Sequence, residues 1–108
     1  MINKTQMLKG ILEGCVLKVV ANTQLYPFEI ASKLKEYGFE DISEGTIYPL
    51  LLRLEKEGLF CTQKIESKLG PKRKYFTLSE KGREELQMFA EVWKCFKSTI
   101  DNIIESGD

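Results

Sequence analysis

The order of apolar and polar residues predicts a helix in the first part of the chain. Between residues 4 and 21, apolar side chains recur every three or four positions and form one broad stripe: Leu8, Ile11, Leu12, Cys15, Val16, Val19 and Val20. This spacing is typical of one face of an amphipathic helix. Asn22-Thr23 interrupts the pattern. We therefore expect a single helix over residues 4–21.

Cap and turn residues delimit two more helices. Pro27 suits the first turn of a helix, and Gly38 suits the position just after its last residue. The buried side of this second helix would consist of Phe28, Ile30, Ala31 and Leu34. Ser43 is a good N-cap for a third helix, which Gly58 ends.

The third predicted helix has two unlike faces. Its inner face follows i, i+3, i+4, i+7 spacing: Ile47, Leu50, Leu51 and Leu54. Its outer face carries Gly45, Tyr48, Pro49, Leu52, Arg53 and Lys56. A proline inside a helix typically costs about 3 kcal/mol, and glycine is also unfavourable there. Since such residues are poor choices for a face selected only for stability, we interpret the outer face as a binding surface.

A basic β-hairpin is predicted next. Aromatic and β-branched residues in Phe60–Ile65 and Arg73–Leu78 indicate two strands, and Leu69-Gly70-Pro71 is a turn signal within the loop Glu66–Pro71. The chain has 16 basic and 16 acidic residues and no net charge, but its basic charge is concentrated here. From residue 63 to residue 75 the net charge is +4: Lys64, Lys68, Lys72, Arg73 and Lys74 against Glu66. A local excess of this kind is expected of an anion-binding surface.

A long helix ends the chain. Ser79 is its N-cap, and the helix runs to about Glu105. Its main apolar seam has spacing 3, 4, 3, 4, 3: Leu86, Phe89, Trp93, Phe96, Ile100 and Ile103. A second stripe lies beside the first: Met88, Val92 and Cys95. One small domain has too little surface to cover both stripes, so we expect a partner helix from a second copy of the chain.

Composition excludes several classes of protein. The 108 residues suit a single modest core, and no apolar run reaches the length of a membrane span. No secretory signal is evident at the N-terminus, so a cytoplasmic location is expected. Histidine is absent and the three cysteines are far apart, which argues against a metal site, and we expect no cofactor. Without a nucleophile–base pair or a phosphate-binding glycine loop, the chain is not expected to be an enzyme. Cys15 and Cys95 are expected to be reduced thiols in the core.

The predicted order of helix, helix, helix, hairpin and helix is that of a winged helix-turn-helix. We expect a mainly α fold with a small β-hairpin, in which residues 1–78 form the DNA-binding domain and residues 79–108 a C-terminal dimerisation helix. In such a module the third helix enters the major groove of double-stranded DNA, and basic residues of the wing neutralise phosphates. The predicted DNA-binding residues are Gly45, Thr46, Tyr48, Pro49, Arg53 and Lys56 on the helix, and Lys68, Lys72, Arg73 and Lys74 on the wing.

Alternatives remain open from the residues alone. Arg53 and Lys56 are, in isolation, ordinary solvated charges, and the basic loop could serve solubility only. A winged helix can also be a protein–protein interaction module that does not bind DNA. Trp93, the only tryptophan, could pack in a core. With Phe89 and Phe96 beside it, Trp93 could instead form a slot for a small aromatic effector in a dimer.

The sequences GTIYPLLLRLEKEGL and GPKRKYFTLSEKGREEL resemble the PadR family of bacterial transcriptional regulators. The two family motifs are met at Thr46 to Leu59 and at Gly70 to Gly82, and the upstream stretch YPFEIASKLKEYG agrees except that Pro27 replaces the usual glycine. The resemblance covers nearly the whole chain. With a single C-terminal helix, the chain is similar to the short subfamily.

The resemblance implies a homodimer whose first and last helices interlock, which binds a near-palindromic operator and usually represses transcription. The dimer contacts would then come from Leu8, Ile11, Leu86, Phe89, Trp93, Phe96, Ile100 and Ile103. Some members of the family respond to aromatic compounds bound near the dimer interface, and Phe89, Trp93 and Phe96 are the corresponding candidates here.

Overall fold

A computed structural model describes residues Met1–Gly107. Along the chain it contains α1 (Lys4–Leu8), α2 (Ile11–Val20), α3 (Pro27–Tyr37), α4 (Glu44–Lys56), β1 (Phe60–Ser67), β2 (Gly70–Leu78) and α5 (Glu80–Ile104). The predicted fold class is confirmed, since the protein is mainly helical with one antiparallel hairpin and a long last helix. Asp108, the last residue of the predicted dimerisation segment, lies outside the described residues.

The prediction of one helix over residues 4–21 is wrong. The chain breaks between α1 and α2 at Gly10, whose φ is +84°. Glycine adopts this left-handed conformation without a steric penalty, so the chain can bend at this position. The spacing of the apolar residues is the same on both sides of the bend and therefore does not reveal it. The five residues of α1 include no buried side chain.

The core lies between α2, α3, α4 and the base of the hairpin. Ile30, Ile47, Leu51 and Phe76 are fully enclosed. The other buried apolar residues are Val16, Leu17, Val20, Ala21, Leu25, Ala31, Leu34, Ile42, Leu54, Leu59, Phe60 and Leu78. Phe28 was expected among them, but its side chain is 58% exposed. It lies in the first turn of α3 but lines an open cleft and stacks on Tyr26.

The hairpin is longer than predicted, because both strands continue into the expected loop. Phe60 pairs with Leu78 at the base, Ser67 pairs with Gly70 at the tip, and an irregularity follows Ile65. Only Lys68 and Leu69 remain as the turn. A third segment joins the sheet, since Leu25 and Phe76 exchange backbone hydrogen bonds of 3.2 and 2.7 Å. The link between α2 and α3 is therefore fixed to β2.

The first turn of α5 is fitted tightly to the end of α4. Ser79 caps α5 by accepting a hydrogen bond from the Gly82 amide at 3.0 Å, and its hydroxyl donates to the Gly58 carbonyl at 2.6 Å. A Cβ on Gly82 would overlap the carbonyl of Leu59. The conformation does not require glycine at residue 82, but the close approach of backbone to backbone does.

Beyond its first turns, α5 leaves the core. Phe89 packs on α2, where a Cβ on Gly14 would overlap its ring. Farther along, the apolar face is open, and Cys95 is exposed although it was expected in the core. Cys15 is half-buried, and this burial raises the pKa of its thiol. Within residues 1–107, no helix is both long enough and apolar enough to cross a bilayer.

Candidate nucleic-acid interface

The outer face of α4 is open along its length. The residues predicted to contact DNA from this helix are all exposed: Gly45, Thr46, Tyr48, Pro49, Arg53 and Lys56. The helix begins as expected at Ser43, whose hydroxyl accepts a hydrogen bond from the Thr46 amide at 3.2 Å. The Thr46 hydroxyl also lies 2.9 Å from that of Ser43, so Thr46 is part of the cap as well as of the exposed face.

Pro49 does not end the helix. Secondary structure continues from Glu44 to Lys56, and Ile47, Leu51 and Leu54 on the opposite face are buried. Burial of these three side chains offsets the backbone hydrogen bond that proline cannot donate. The exposed side of α4 therefore carries the residues that weaken the helix, and the buried side holds it in place.

A cleft of about 990 Å³ lies between the first turns of α3 and α4 and the hairpin. Four basic residues and one acidic residue line it: Lys64, Lys72, Arg73, Lys74 and Glu44. The rest of the lining is aromatic or small: Tyr26, Pro27, Phe28, Gly45 and Tyr48. The fold thus brings the predicted helix and the predicted wing together on one cationic surface.

Tyr26 is the centre of an aromatic group in this cleft. The Cζ atom of Arg73 lies 4.5 Å from the centroid of its ring. Tyr75 meets the ring edge-on at 5.3 Å, and Phe28 stacks on it at 6.4 Å with an interplanar angle of 20°. Sequence reasoning missed Tyr26 and Phe28 as site residues, because their role depends on the strand pairing at Leu25. The aromatic residues on both sides of Pro27 were the available signal.

Arg53 lies on the outer face of α4, but its guanidinium is engaged within the protein. It forms ion pairs with Glu13 of α2 and, at 3.3 Å, with Glu57, the residue that follows α4. Glu13 is the main cause of a raised pKa of Arg53. Any DNA phosphate would have to compete with these two carboxylates for the guanidinium.

Lys74 is engaged in the same way, between the hairpin and α4. Its Nζ atom lies 2.6 Å from Glu55 Oε1, and the Thr62 hydroxyl donates to Glu55 Oε2 at 2.9 Å. The hydrogen bond from Lys74 is the main reason why the pKa of Glu55 lies below its ordinary value, and the Thr62 hydroxyl lowers it further. These contacts fix the wing relative to α4.

The other predicted wing residues are more open. Lys68 is exposed in the turn, and Lys72 is exposed with Glu66 at 4.0 Å. Lys64, which was counted in the local charge but not among the predicted contacts, lines the cleft with Arg73. Of the basic residues that line the cleft, Lys64 and Arg73 have no carboxylate within 4.0 Å in the part of the chain that the structure describes.

The residues predicted for the dimer contact and the effector site divide into two groups. The first group is half-buried within the chain itself: Leu8, Ile11, Leu86 and Phe89. The second is exposed along one side of α5: Trp93, Phe96, Ile100 and Ile103. Trp93 is 41% and Phe96 60% exposed, so these two could meet a partner or a ligand, whereas the ring of Phe89 already contacts α2.

Over residues 1–107, no group of three or more Cys, Asp or Glu side chains could hold a metal ion.

Comparison with known proteins identifies the family of the chain. Residues 16–88 match the family described as "Transcriptional regulator PadR-like family". A PadR-like transcriptional regulator from Bacillus cereus is similar, with 44% identity, 94% of this chain and 98% of that chain covered, and a TM-score of 0.85. A Streptococcus transcriptional regulator has 40% identity over 93% of this chain and 98% of its own, with a TM-score of 0.83. At 23% identity, a family regulator from Eggerthella lenta retains the fold, with 95% and 89% covered and a TM-score of 0.85.

Proposed function

We propose, since the chain belongs to the PadR-like family of transcriptional regulators, that it is a homodimeric repressor that binds a near-palindromic operator in double-stranded DNA. Members of this family are transcriptional regulators and not enzymes. Residues 1–78 would form the DNA-binding part and residues 79–108 the dimerisation helix. Its place of action would be the cytoplasm, where the bacterial chromosome lies.

The observation that carries the proposal is the cationic cleft between α4 and the wing. The cleft is lined by four basic residues and only one acidic residue, although the net charge of the chain is zero. Lys and Arg side chains that neutralise phosphates release condensed counterions, which favours binding to duplex DNA. The exposed face of α4 lies beside this charge, in position to enter a major groove.

We assign the DNA contacts in two groups. Gly45, Thr46, Tyr48 and Pro49 in the first turns of α4 would approach base edges and sugars, since this part of the helix lies beside the cleft. Lys64, Lys68, Lys72 and Arg73 would contact phosphates. Arg53, Lys56 and Lys74 remain candidates, but Arg53 and Lys74 must first leave their carboxylate partners.

The exposed side of α5 supports the proposed dimer. Trp93, Phe96, Ile100 and Ile103 recur at heptad-like spacing and stay exposed in the single chain. Pairing with the same face of a second copy would bury them, in the way that a and d residues of a coiled coil are buried. Leu8 and Ile11 at the bend between α1 and α2 would complete the contact.

A small aromatic effector would bind in this dimer seam. Trp93 and Phe96 supply aromatic surfaces that the chain itself does not cover. Because Trp93 is the only tryptophan, its fluorescence reports on this place alone. Saturable quenching by planar aromatic compounds, lost in Phe96→Ala, supports the effector site, and its absence across a panel of such compounds contradicts it.

Fluorescence anisotropy with a labelled duplex from the promoter of the chain's own gene tests the main proposal. We expect binding that weakens steeply between about 50 and 200 mM salt, and a loss of about tenfold or more in Tyr48→Ala. Tyr37→Ala is the matched control, because Tyr37 is an exposed tyrosine at the far end of α3. Absence of DNA binding at low salt would instead favour a protein–protein interaction module.

A further inference from the structure

Tyr26 has contacts that packing of the core does not require. Its ring is half-buried at the junction of the helices and the wing, and Arg73 lies over one face of it. We propose that Tyr26 is a positioning residue for DNA binding, whose ring holds the guanidinium of Arg73 over the cationic cleft in the place where a phosphate arrives. The inference rests on the proposed function and assigns a role within its DNA-binding surface.

The position of Tyr26 is fixed by its backbone. The preceding residue, Leu25, exchanges two hydrogen bonds with Phe76, so Tyr26 stands next to Tyr75 across the added strand. The Tyr26 amide donates to Glu29 Oε1 at 3.1 Å, which ties it to the first turn of α3. The ring therefore has a defined place relative to both the wing and the helices.

The alternation of β2 explains why Arg73 reaches this ring and Lys74 does not. Neighbouring residues of a strand point to opposite faces, so Arg73 and Tyr75 share the face toward Tyr26. Lys74 points the other way, toward Glu55 of α4. Within β2, Lys74 thus attaches the hairpin to α4, while Arg73 is presented to the ring of Tyr26.

An aromatic partner has an advantage over a carboxylate at this position. Arg53 and Lys74 are held by carboxylates, which neutralise them and compete with phosphate. A ring face attracts a guanidinium through its quadrupole but carries no charge, so the cation keeps its full attraction for DNA. The N–H groups at the edge of a stacked guanidinium also stay free to donate in a bidentate manner. Holding the side chain in advance reduces the entropy lost on binding.

A double-mutant cycle in DNA binding tests the inference, using the full chain and the labelled promoter duplex described above. Tyr26→Leu should weaken binding about two- to fivefold for each protomer on the duplex, the range of an exposed cation–π contact. In the Arg73→Ala background, the same substitution should change affinity less than about twofold. Tyr26→Phe keeps the ring and should bind like the unsubstituted protein, as should the control Tyr37→Leu.

Arg73→Lys gives a second test that leaves Tyr26 and the fold in place, because Arg73 is exposed. Lysine keeps the charge but lacks the planar group, so affinity should fall about as far as in Tyr26→Leu. Equal losses from Tyr26→Leu with and without Arg73, or no loss at all, would overturn the inference while the proposed function stands. Absence of DNA binding by the unsubstituted protein would instead overturn both.

Discussion

Gly45 and Pro49 lie one turn apart in α4, so the carbonyl of Gly45 faces a residue that has no amide hydrogen to donate. The helix continues through this position and is exposed at both residues. One carbonyl of the outer face is therefore left without its usual helical partner. Its position beside the cationic cleft places this free acceptor on the proposed DNA-binding surface.

Pro49→Ala should raise stability and weaken DNA binding. The substitution restores the amide donor to Gly45 and removes the clash of the ring with the preceding turn, so the free energy of unfolding should rise by up to about 3 kcal/mol. Binding should fall because Thr46 and Tyr48 change direction when the turn becomes regular. Urea denaturation and anisotropy measure the two effects.

Pro27→Ala is the control for stability. Pro27 is at the first position of α3, where the missing donor costs nothing, so its replacement should not stabilise the protein. If Pro49→Ala left DNA affinity unchanged, Pro49 would only be tolerated in α4 and would not serve binding.

Alanine at two helical glycines should have opposite effects on stability. In Gly82→Ala, the new Cβ would overlap the carbonyl of Leu59, and the junction of α4 and α5 would have to open; we expect a loss of about 3 kcal/mol or more. In Gly45→Ala, the nearest atom is the Ser43 hydroxyl at 3.8 Å, so helix propensity dominates and stability should rise by about 0.5–1 kcal/mol. Thermal unfolding followed by circular dichroism shows whether each variant is more or less stable than the unsubstituted protein. A stable Gly82→Ala would contradict the close contact.

Glu13→Gln should tighten DNA binding. The Glu13 carboxylate pairs with Arg53 from α2, and its removal frees a guanidinium on the face of α4. We expect affinity to rise about two- to fivefold at low salt, with little change in stability because the pair is exposed. Glu36→Gln is the matched control, since it removes one negative charge from an exposed position on α3. Equal gains in both variants would mean that net charge alone is responsible.

Glu55→Gln should flatten the acid side of the stability profile. The pKa of Glu55 is lowered in the folded protein, so its contribution is present above its ordinary value near 4.5 and is lost as the pH falls through the lower folded value. The difference in unfolding free energy between the unsubstituted protein and Glu55→Gln should therefore shrink as the pH falls below about 4.5. Denaturant unfolding from pH 6 to pH 3 measures it. A difference that stays constant over this range would contradict the contact with Lys74.

Phe89→Ala and Phe96→Ala should affect different equilibria. Phe89 packs on Gly14 within the chain, so its truncation should lower unfolding stability by about 2–4 kcal/mol. Phe96 is exposed in the single chain, and its truncation should raise the dissociation constant of the dimer about tenfold or more. Sedimentation equilibrium measures the dissociation constant of the dimer, and urea denaturation at one protein concentration measures the unfolding stability. A monomeric unsubstituted protein would contradict the assignment of Phe96.

The beginnings of α4 and α5 and the buried face of α4 were predictable because their signals are local. Ser43 and Ser79 mark the beginnings of α4 and α5, and the spacing of Ile47, Leu51 and Leu54 identifies the buried face. The bend at Gly10 was missed, since an apolar stripe keeps its spacing across a glycine whose φ is positive.

The site was less predictable than the fold. Arg53 and Glu13 are 40 positions apart, and no local pattern shows that they meet. The same holds for Tyr26 and Arg73, which the pairing of Leu25 with Phe76 brings together. Sequence reasoning located the basic charge correctly. It could not tell which basic side chains would form ion pairs with carboxylates of the same chain.

In the proposed dimer, the length of α5 would influence the spacing of the operator half-sites. Its 25 residues extend about 37 Å, close to the distance between successive major-groove faces of DNA. The first turn of α5 packs closely against Leu59 at the end of α4 through Gly82. In the proposed dimer, the pairing of two α5 helices would therefore set the distance between the two α4 helices. A substitution in the contact between the two α5 helices would then change the preferred gap between half-sites without contacting DNA. A small molecule bound beside Trp93 would change that gap, and the protein would then dissociate from the operator.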